Sequence, residues 1–162
     1  MSLRNTLSQR LRDTWHGTPW YGDSSDKILA GITAAEASRR IVPGTHTIWE
    51  IVLHMTAWTE TVGARVRGIG AKAPDRGDWP APAGTTDAEW AAAIQGLEVA
   101  RAALLSEIDT AHEEDLHLHV KAFVEPFRDT GASRASTVSG LVEHDCYHLG
   151  QVAMLKRAVR AG

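Results

Sequence analysis

The stretch "PGTHTIWEIVLHMTAWTETVGARVRG", residues 43–68, carries the clearest fold signal in the chain. Its apolar residues recur every three or four positions, as they do along the buried face of a helix. They are Ile48, Ile51, Met55, Trp58, Val62 and Val66. Thr47 and Glu50 have the spacing of a capping box, and Pro43 with Gly44 punctuates the chain just before them. The pattern predicts a long amphipathic helix over about residues 47–67.

Three further stretches have the same helical period. Leu3, Leu7, Leu11 and Trp15 mark a first long helix. A third begins after the capping box of Thr86 and reaches about residue 111, and a fourth covers roughly residues 136–160. Shorter helices are predicted up to Ile32 and after Thr33. Four long amphipathic helices predict an all-α fold, a four-helix bundle formed by one domain over residues 1–162.

The connections leave two questions open. Residues 68–85 contain four glycines and three prolines and form a long link between the second and third long helices. Such a link can cross the bundle, so an up-down-up-down order is not required. In "DLHLHVKAFV", residues 115–124, apolar and polar residues alternate with a period of two. That alternation favours a short extended segment between the third and fourth long helices.

Composition excludes several classes of function. The formal net charge is −3 and the basic residues are scattered, whereas nucleic-acid binding requires a basic surface. No run of apolar residues is long enough to span a membrane. The N-terminal residues lack the apolar block of a signal peptide, and Cys146 is the single cysteine, so no intrachain disulfide can form. These features predict a soluble, cytoplasmic protein without nucleic-acid or membrane partners.

Three histidines are candidate metal ligands. His144 and His148, in "LVEHDCYHLGQ" (residues 141–151), lie four residues apart and differ by only about 40° around a helix. Their face also carries apolar residues, so it should point into the bundle. His54 lies on the buried stripe of the second long helix. Three imidazoles from two facing helices could bind a divalent cation and leave a coordination position open. The alternative is a set of core histidines hydrogen-bonded to backbone or carboxylate groups.

Other residues near these histidines are candidates for catalysis or for ligand binding. Glu50, one turn before His54, could act as a ligand or base, although helix capping competes for the same carboxylate. Asp145 could orient an imidazole or act as the base, but its position about 80° from the centre of the histidine face favours solvent exposure. Gln151 could hydrogen-bond a bound ligand, and Trp58 could line the pocket together with Trp79 of the long link. Cys146 points away from the histidine pair and is interpreted as a packing residue.

A second cluster of histidines competes with the first. His117 and His119 would share one face of a strand, and Glu114 with His117 has the E-x-x-H spacing of di-iron bundles. Those proteins need two such motifs, and this chain contains one. The cluster is therefore more easily interpreted as a solvated face.

His54 in "HTIWEIVLHMTAW" followed by "HDCYHLGQ" resembles the DinB-like superfamily, which includes the YfiT-type proteins. The likeness extends to "PWYGDSSDKILAGITAAEA", "DWPAP" and "GQVAMLKRA" and so covers nearly the whole chain. It implies a four-helix bundle, often a homodimer, whose divalent metal is held by three histidines. Carried over by position, these are His54, His144 and His148.

The resemblance also implies a choice of functions. Some members are S-transferases or isomerases that use a low-molecular-weight thiol, others are described as metal-dependent hydrolases, and many have no known activity. The leading hypothesis is a metal-dependent enzyme acting on a small molecule, with zinc, nickel or iron as the ion, since all three accept imidazole. The alternatives are a non-catalytic binding module with a structural or vestigial metal, and a purely structural dimeric bundle without one.

Overall fold

The computed structural model describes residues 2–70, 72–121 and 131–161. Within these ranges the chain forms six α-helices, a 3-10 helix and no β-strand, so the predicted all-α class is confirmed. The α-helices are α1 (Leu3–Trp15), α2 (Ser25–Leu29), α3 (Ala34–Ser38), α4 (Ile48–Val66), α5 (Asp87–Thr110) and α6 (Arg134–Ala161), and the 3-10 helix is Glu113–His117. The long helices α1, α4, α5 and α6 form the predicted bundle.

Local sequence sets where three of the helices begin. In each a threonine hydroxyl accepts a hydrogen bond from the third backbone N–H of the helix, and the glutamate at that position reaches back to the threonine N–H. The pairs are Thr33 with Glu36, Thr47 with Glu50, and Thr86 with Glu89. The capping boxes at Thr47 and Thr86 were predicted from their spacing, and the third confirms the helix predicted after Thr33.

The long helices run up, down, down and up. α4 packs against α5 and α6, while α1 packs against the same two helices and lies diagonally opposite α4. Trp49 and Trp90, near the starts of α4 and α5, have ring centroids 5.3 Å apart, and Arg67 pairs with Glu107 near the ends of these helices. α4 and α5 are therefore parallel, and residues 67–86 must return along the bundle to connect them.

The stretch predicted to be extended has a mixed structure. Its first part belongs to the 3-10 helix, which buries Leu116 completely. His119 then forms an isolated antiparallel β-bridge with Ser133, flanked by a hydrogen bond from the Val120 N–H to the Ala132 carbonyl. The rest of the stretch, residues 122–124, lies outside the described residues.

The core consists of two apolar clusters with a polar layer between them. One cluster joins α1 to the C-terminal half of α4 and the N-terminal half of α6. The other joins α2 and α3 to the N-terminal half of α4 and the C-terminal half of α6. Buried polar side chains occupy the level between them: His54, Arg101, Asp145 and His148. None of the described helices has both the length and the apolar character needed to cross a membrane.

Candidate metal centre

The antiparallel packing of α4 on α6 brings the three predicted histidines together. One ring nitrogen from each of His54, His144 and His148 lies within 4.8 Å of the others. The Nε2 atoms of His54 and His144 are 2.9 Å apart. His54 and His148 are buried, and His144 is partly exposed. Among the described residues, this histidine trio is the one group of three or more potential metal ligands.

Hydrogen bonds fix the tautomers of two members of the trio. The Nδ1 of His54 lies 2.6 Å from the backbone carbonyl oxygen of Asp78, so it must carry the proton and donate. The Nδ1 of His148 lies 2.9 Å from the Oε1 of Gln151 and donates in the same way. In the neutral rings Nε2 is then unprotonated. Both rings therefore present a lone pair to the centre of the trio.

His144 completes the arrangement. Its Nδ1 is buried without a hydrogen-bond partner and lies 3.7 Å from Asp145 Oδ1, which is also buried and unpaired. If His144 donated its Nε2 proton to His54, two acceptors, the bare Nδ1 and the carboxylate, would face each other. With the proton on Nδ1 instead, two Nε2 lone pairs face each other across 2.9 Å. A cation between them removes this conflict.

The trio fits a divalent cation in spacing and in protonation. In a tetrahedral zinc site the nitrogens lie about 2.0–2.1 Å from the ion and hence roughly 3.3 Å from one another, close to the 2.9 Å between the Nε2 atoms of His54 and His144. Burial lowers the pKa of His54, and it lowers the pKa of His148 to about 4. Both rings are therefore neutral near pH 7, as a metal ligand must be.

The long link covers the trio with aromatic surface. The indole of Trp79 stacks on His54, with ring centroids 3.8 Å apart and planes 7° from parallel, and also on His46. Trp58 approaches His54 edge-on and donates its Nε1–H to Asp78 Oδ1 at 2.8 Å. Asp78 thus contacts both a trio histidine and a candidate pocket residue. No periodicity marks it in the sequence, since it lies in an irregular segment.

The family model of the DinB superfamily matches residues 22–152, which include the whole trio. The chain belongs to the DinB superfamily. No curated protein and no solved structure gave a significant match to it. The family assignment is therefore supported by most of the chain. The candidate metal site of this DinB-superfamily member is supported by the geometry described above.

The sequence predicted that the Asp145 side chain would be exposed to solvent, and this prediction is wrong. That side chain is 0% exposed, accepts a hydrogen bond from Trp15 Nε1 at 2.7 Å, and lies 3.8 Å from Arg101 Nη2. α6 packs against α1 as well as α4, so a residue well away from the histidine face is still buried. Cys146 is partly buried against one apolar cluster, as predicted, and burial raises its pKa.

Glu50 is occupied by structural contacts. Its carboxylate closes the capping box at Thr47 and accepts two hydrogen bonds from Arg40 Nη2, at 2.8 and 3.0 Å. Burial alone would raise the pKa of Glu50, but the hydrogen bonds from Thr47 and Arg40 outweigh it and lower the pKa. The catalytic roles of Glu50 and Asp145 stay predictions.

The rival histidine cluster does not assemble a site in the described part of the chain. His117 and His119 are both exposed, one at the end of the 3-10 helix and the other in the β-bridge. Neither belongs to a group of three potential ligands there.

Two cavities adjoin the trio, one on each side. A cavity of about 370 Å³, toward the start of α4, includes His148 and Gln151 in its wall. Its other lining residues are mostly apolar: Ile51, Trp79, Met154, Leu155 and the ring of Tyr147. A second cavity of about 340 Å³, toward the end of α4, includes His144 and Trp58. We call these the apolar cavity and the Trp58 cavity. Space for a ligand therefore reaches the trio from both directions.

Proposed function

We propose that this protein is a metal-dependent enzyme that acts on a small molecule, with a divalent ion held by His54, His144 and His148. The observation that carries the proposal is the convergence of the trio's ring nitrogens, two of them with tautomers fixed by Nδ1–H donation. In a core built only for stability, a buried polar atom such as His144 Nδ1 would be hydrogen-bonded, and this atom has no hydrogen-bond partner.

The reaction proposed is attack by an activated nucleophile on an electrophilic substrate. An ion bound by three neutral imidazoles keeps its full charge and would make a water or thiol ligand nucleophilic near neutral pH. The resemblance supports two reaction classes, hydrolysis and S-transfer from a low-molecular-weight thiol. Zinc, nickel and iron all suit the donor set.

The protein's own groups would position the substrate and limit access of water. The apolar cavity suits the uncharged body of a small substrate, and its wall also offers polar groups, among them Gln151, Tyr147 and His46. Trp79, stacked on His54, excludes water from one face of the trio. These contacts favour a catalytic site over a closed structural metal site, which needs no adjoining cavity.

We assign Asp145 a positioning role in place of proton transfer. Its buried Oδ1 faces the buried Nδ1 of His144 and has no other partner. A carboxylate near that atom would favour the proton on Nδ1 and leave Nε2 free for the ion, the arrangement typical of histidine ligands. Trp15 fixes the other oxygen of Asp145 and so sets the direction of the carboxylate.

We further propose that the protein is a cytoplasmic homodimer. Trp20 is fully exposed, and Tyr147 and Met154 are 66% and 73% exposed. Large exposed apolar side chains are typical of surfaces covered by another chain. Sedimentation equilibrium at several concentrations measures the oligomeric state; a monomer throughout would contradict the dimer.

Metal reconstitution tests the centre of the proposal. Parent protein is stripped with a chelator, reloaded separately with zinc, nickel and iron, and analysed for bound metal beside His54→Ala and His148→Ala. We expect one equivalent in the parent and none in either variant. His16→Ala is the matched control, since His16 is partly exposed and pairs with Glu98 away from the trio. Variants that bind metal as well as the parent would show that the ligand set is wrong.

A panel of substrates then separates an enzyme from a binding module. Electrophiles are supplied with low-molecular-weight thiols, and esters and amides with water alone, using each metal-loaded form. Turnover that disappears on chelation and in His148→Ala supports the enzyme. Stoichiometric metal without turnover across the panel favours the binding module.

A further inference from the structure

Arg65 is a cation that has no counter-ion among the described residues. It lies on the same stripe of α4 as His54 and Trp58, and its guanidinium carbon is 5.5 Å from the centre of the Trp58 ring. Its Nε is buried with no hydrogen-bond partner. In the described ranges 2–70, 72–121 and 131–161, no carboxylate forms an ion pair with Arg65. Arg67 on the same helix, by contrast, pairs with Glu107.

The Trp58 cavity connects this arginine to the proposed metal. Arg65 and His144 both line it, with Trp58 as a shared wall. The ring centroids of Trp58 and His144 are 6.1 Å apart, so the indole lies beside both the guanidinium and the trio. A small molecule in the cavity can therefore contact both Arg65 and His144, one member of the trio.

The electrostatics of the cavity favour a negative ligand. Burial lowers the pKa of Arg65, and no acid in the described part of the chain opposes this effect. Ser136 and Thr137, which also line the cavity, direct their hydroxyl protons to the Ser133 carbonyl oxygen. The guanidinium is therefore the charged donor available to a ligand there. Guanidinium groups bind carboxylate and phosphate oxygens in a bidentate manner.

We propose that Arg65 forms an anion subsite, which binds a carboxylate or phosphate group of a substrate while the ion of the trio binds its reacting group. The inference rests on the proposed function and narrows its substrate class to small organic anions. Trp58 supports the ligand between the two binding points and holds Arg65 in place through the cation–π contact.

Binding of simple anions by calorimetry tests the subsite without any assay of turnover. Succinate represents the carboxylate, inorganic phosphate the phosphate, and succinamide a neutral analogue of succinate. Each is titrated into metal-loaded and metal-stripped parent, Arg65→Gln, Arg65→Lys and Arg67→Gln. Arg67→Gln removes an exposed charge two residues away on the same helix. Thermal unfolding confirms that each variant is folded.

We expect at least one anion to bind the parent saturably and succinamide not to bind. Arg65→Gln should weaken that anion about tenfold or more, Arg65→Lys should weaken it less, and Arg67→Gln should leave it within about twofold. The preferred probe shows which anion the subsite takes. Equal binding by the parent and both Arg65 variants would overturn the proposal, because the anion would then bind elsewhere or to the metal alone. Absence of saturable anion binding by the parent would overturn it as well.

The metal-stripped samples separate this inference from the proposed function. Anion binding that depends on Arg65 in a protein that takes up no metal would support the subsite and contradict the metal centre. Stoichiometric metal binding, together with anion binding that does not depend on Arg65, would support the metal centre and contradict the subsite.

Discussion

Two regions of buried polar groups lie side by side on α6, and they differ in the charged groups that they contain. Around Asp145, charges of opposite sign meet: the carboxylate lies near Arg101, whose guanidinium also bonds Ser25 and Glu98. In the histidine trio, ring nitrogens of three side chains converge within 4.8 Å of one another, and no carboxylate belongs to the group. The first region compensates its own charge, whereas the second, according to the proposed function, is completed by a cation.

This difference indicates which of the two regions serves the stability of the bundle and which serves its function. A compensated pair can hold α1, α5 and α6 together with no ligand present. A buried polar atom without a hydrogen-bond partner, such as His144 Nδ1, is a local conflict, and such conflicts in an otherwise consistent fold are typical of functional sites. His144 and Asp145 join the two regions, since the unpaired Nδ1 and Oδ1 atoms face each other across 3.7 Å.

The largest effect should come from breaking the compensated pair. Arg101→Met leaves the Asp145 carboxylate buried without its cation, so the free energy of unfolding should fall by about 3–5 kcal/mol. Urea denaturation measures it. Arg12→Met, which removes an exposed partner of Asp109, is the control and should cost at most about 1 kcal/mol. Equal losses in the two variants would remove the distinction between the regions.

The histidine trio should contribute to the stability of the protein only when its ion is bound. At a free metal concentration one hundred times its dissociation constant, the parent should gain about 2.7 kcal/mol of unfolding free energy. His148→Leu should gain none, because the ion loses a ligand. Thermal and urea unfolding with and without metal provide the comparison. Equal stabilisation of parent and variant would place the ion elsewhere.

The contact between His144 and Asp145, which joins the two regions, should affect the metal affinity. In Asp145→Asn the amide N–H₂ can face His144 Nδ1 and favour the tautomer with the proton on Nε2. Metal affinity should then fall about 10–100-fold, while a merely structural role would change unfolding alone. Competition with a chromophoric chelator measures the affinity, and Asp109→Asn serves as the exposed control. An unaltered affinity in Asp145→Asn would refute the positioning role.

The smallest effect should come from Glu50, which belongs to neither region. Glu50→Gln keeps a side chain able to close the capping box but weakens the pairing with Arg40. The free energy of unfolding should change by about 1 kcal/mol or less, and metal affinity should not change. Turnover of any substrate found is the decisive measurement. A large loss of turnover with unchanged stability and affinity would establish Glu50 as a catalytic residue.

The sequence by itself determined the helices and the candidate ligands. Periodicity and capping boxes depend on neighbours three or four residues away, so they place α4 and α5 within a residue or so of their observed starts. The four-residue spacing of His144 and His148 puts both rings on one helical face whatever the rest of the chain does. The apolar stripe of α4 likewise points His54 inward.

The tertiary structure decided which groups surround those ligands. The parallel course of α4 and α5, the Asp78 carbonyl on His54 and the burial of Asp145 against Trp15 join residues far apart in the chain. Arg65 became a candidate only when the packed helices placed it beside the Trp58 cavity, without an acid from the described residues next to it. Helical spacing records which face a side chain occupies, but the partner across that face depends on how distant segments pack, and no local pattern contains that information.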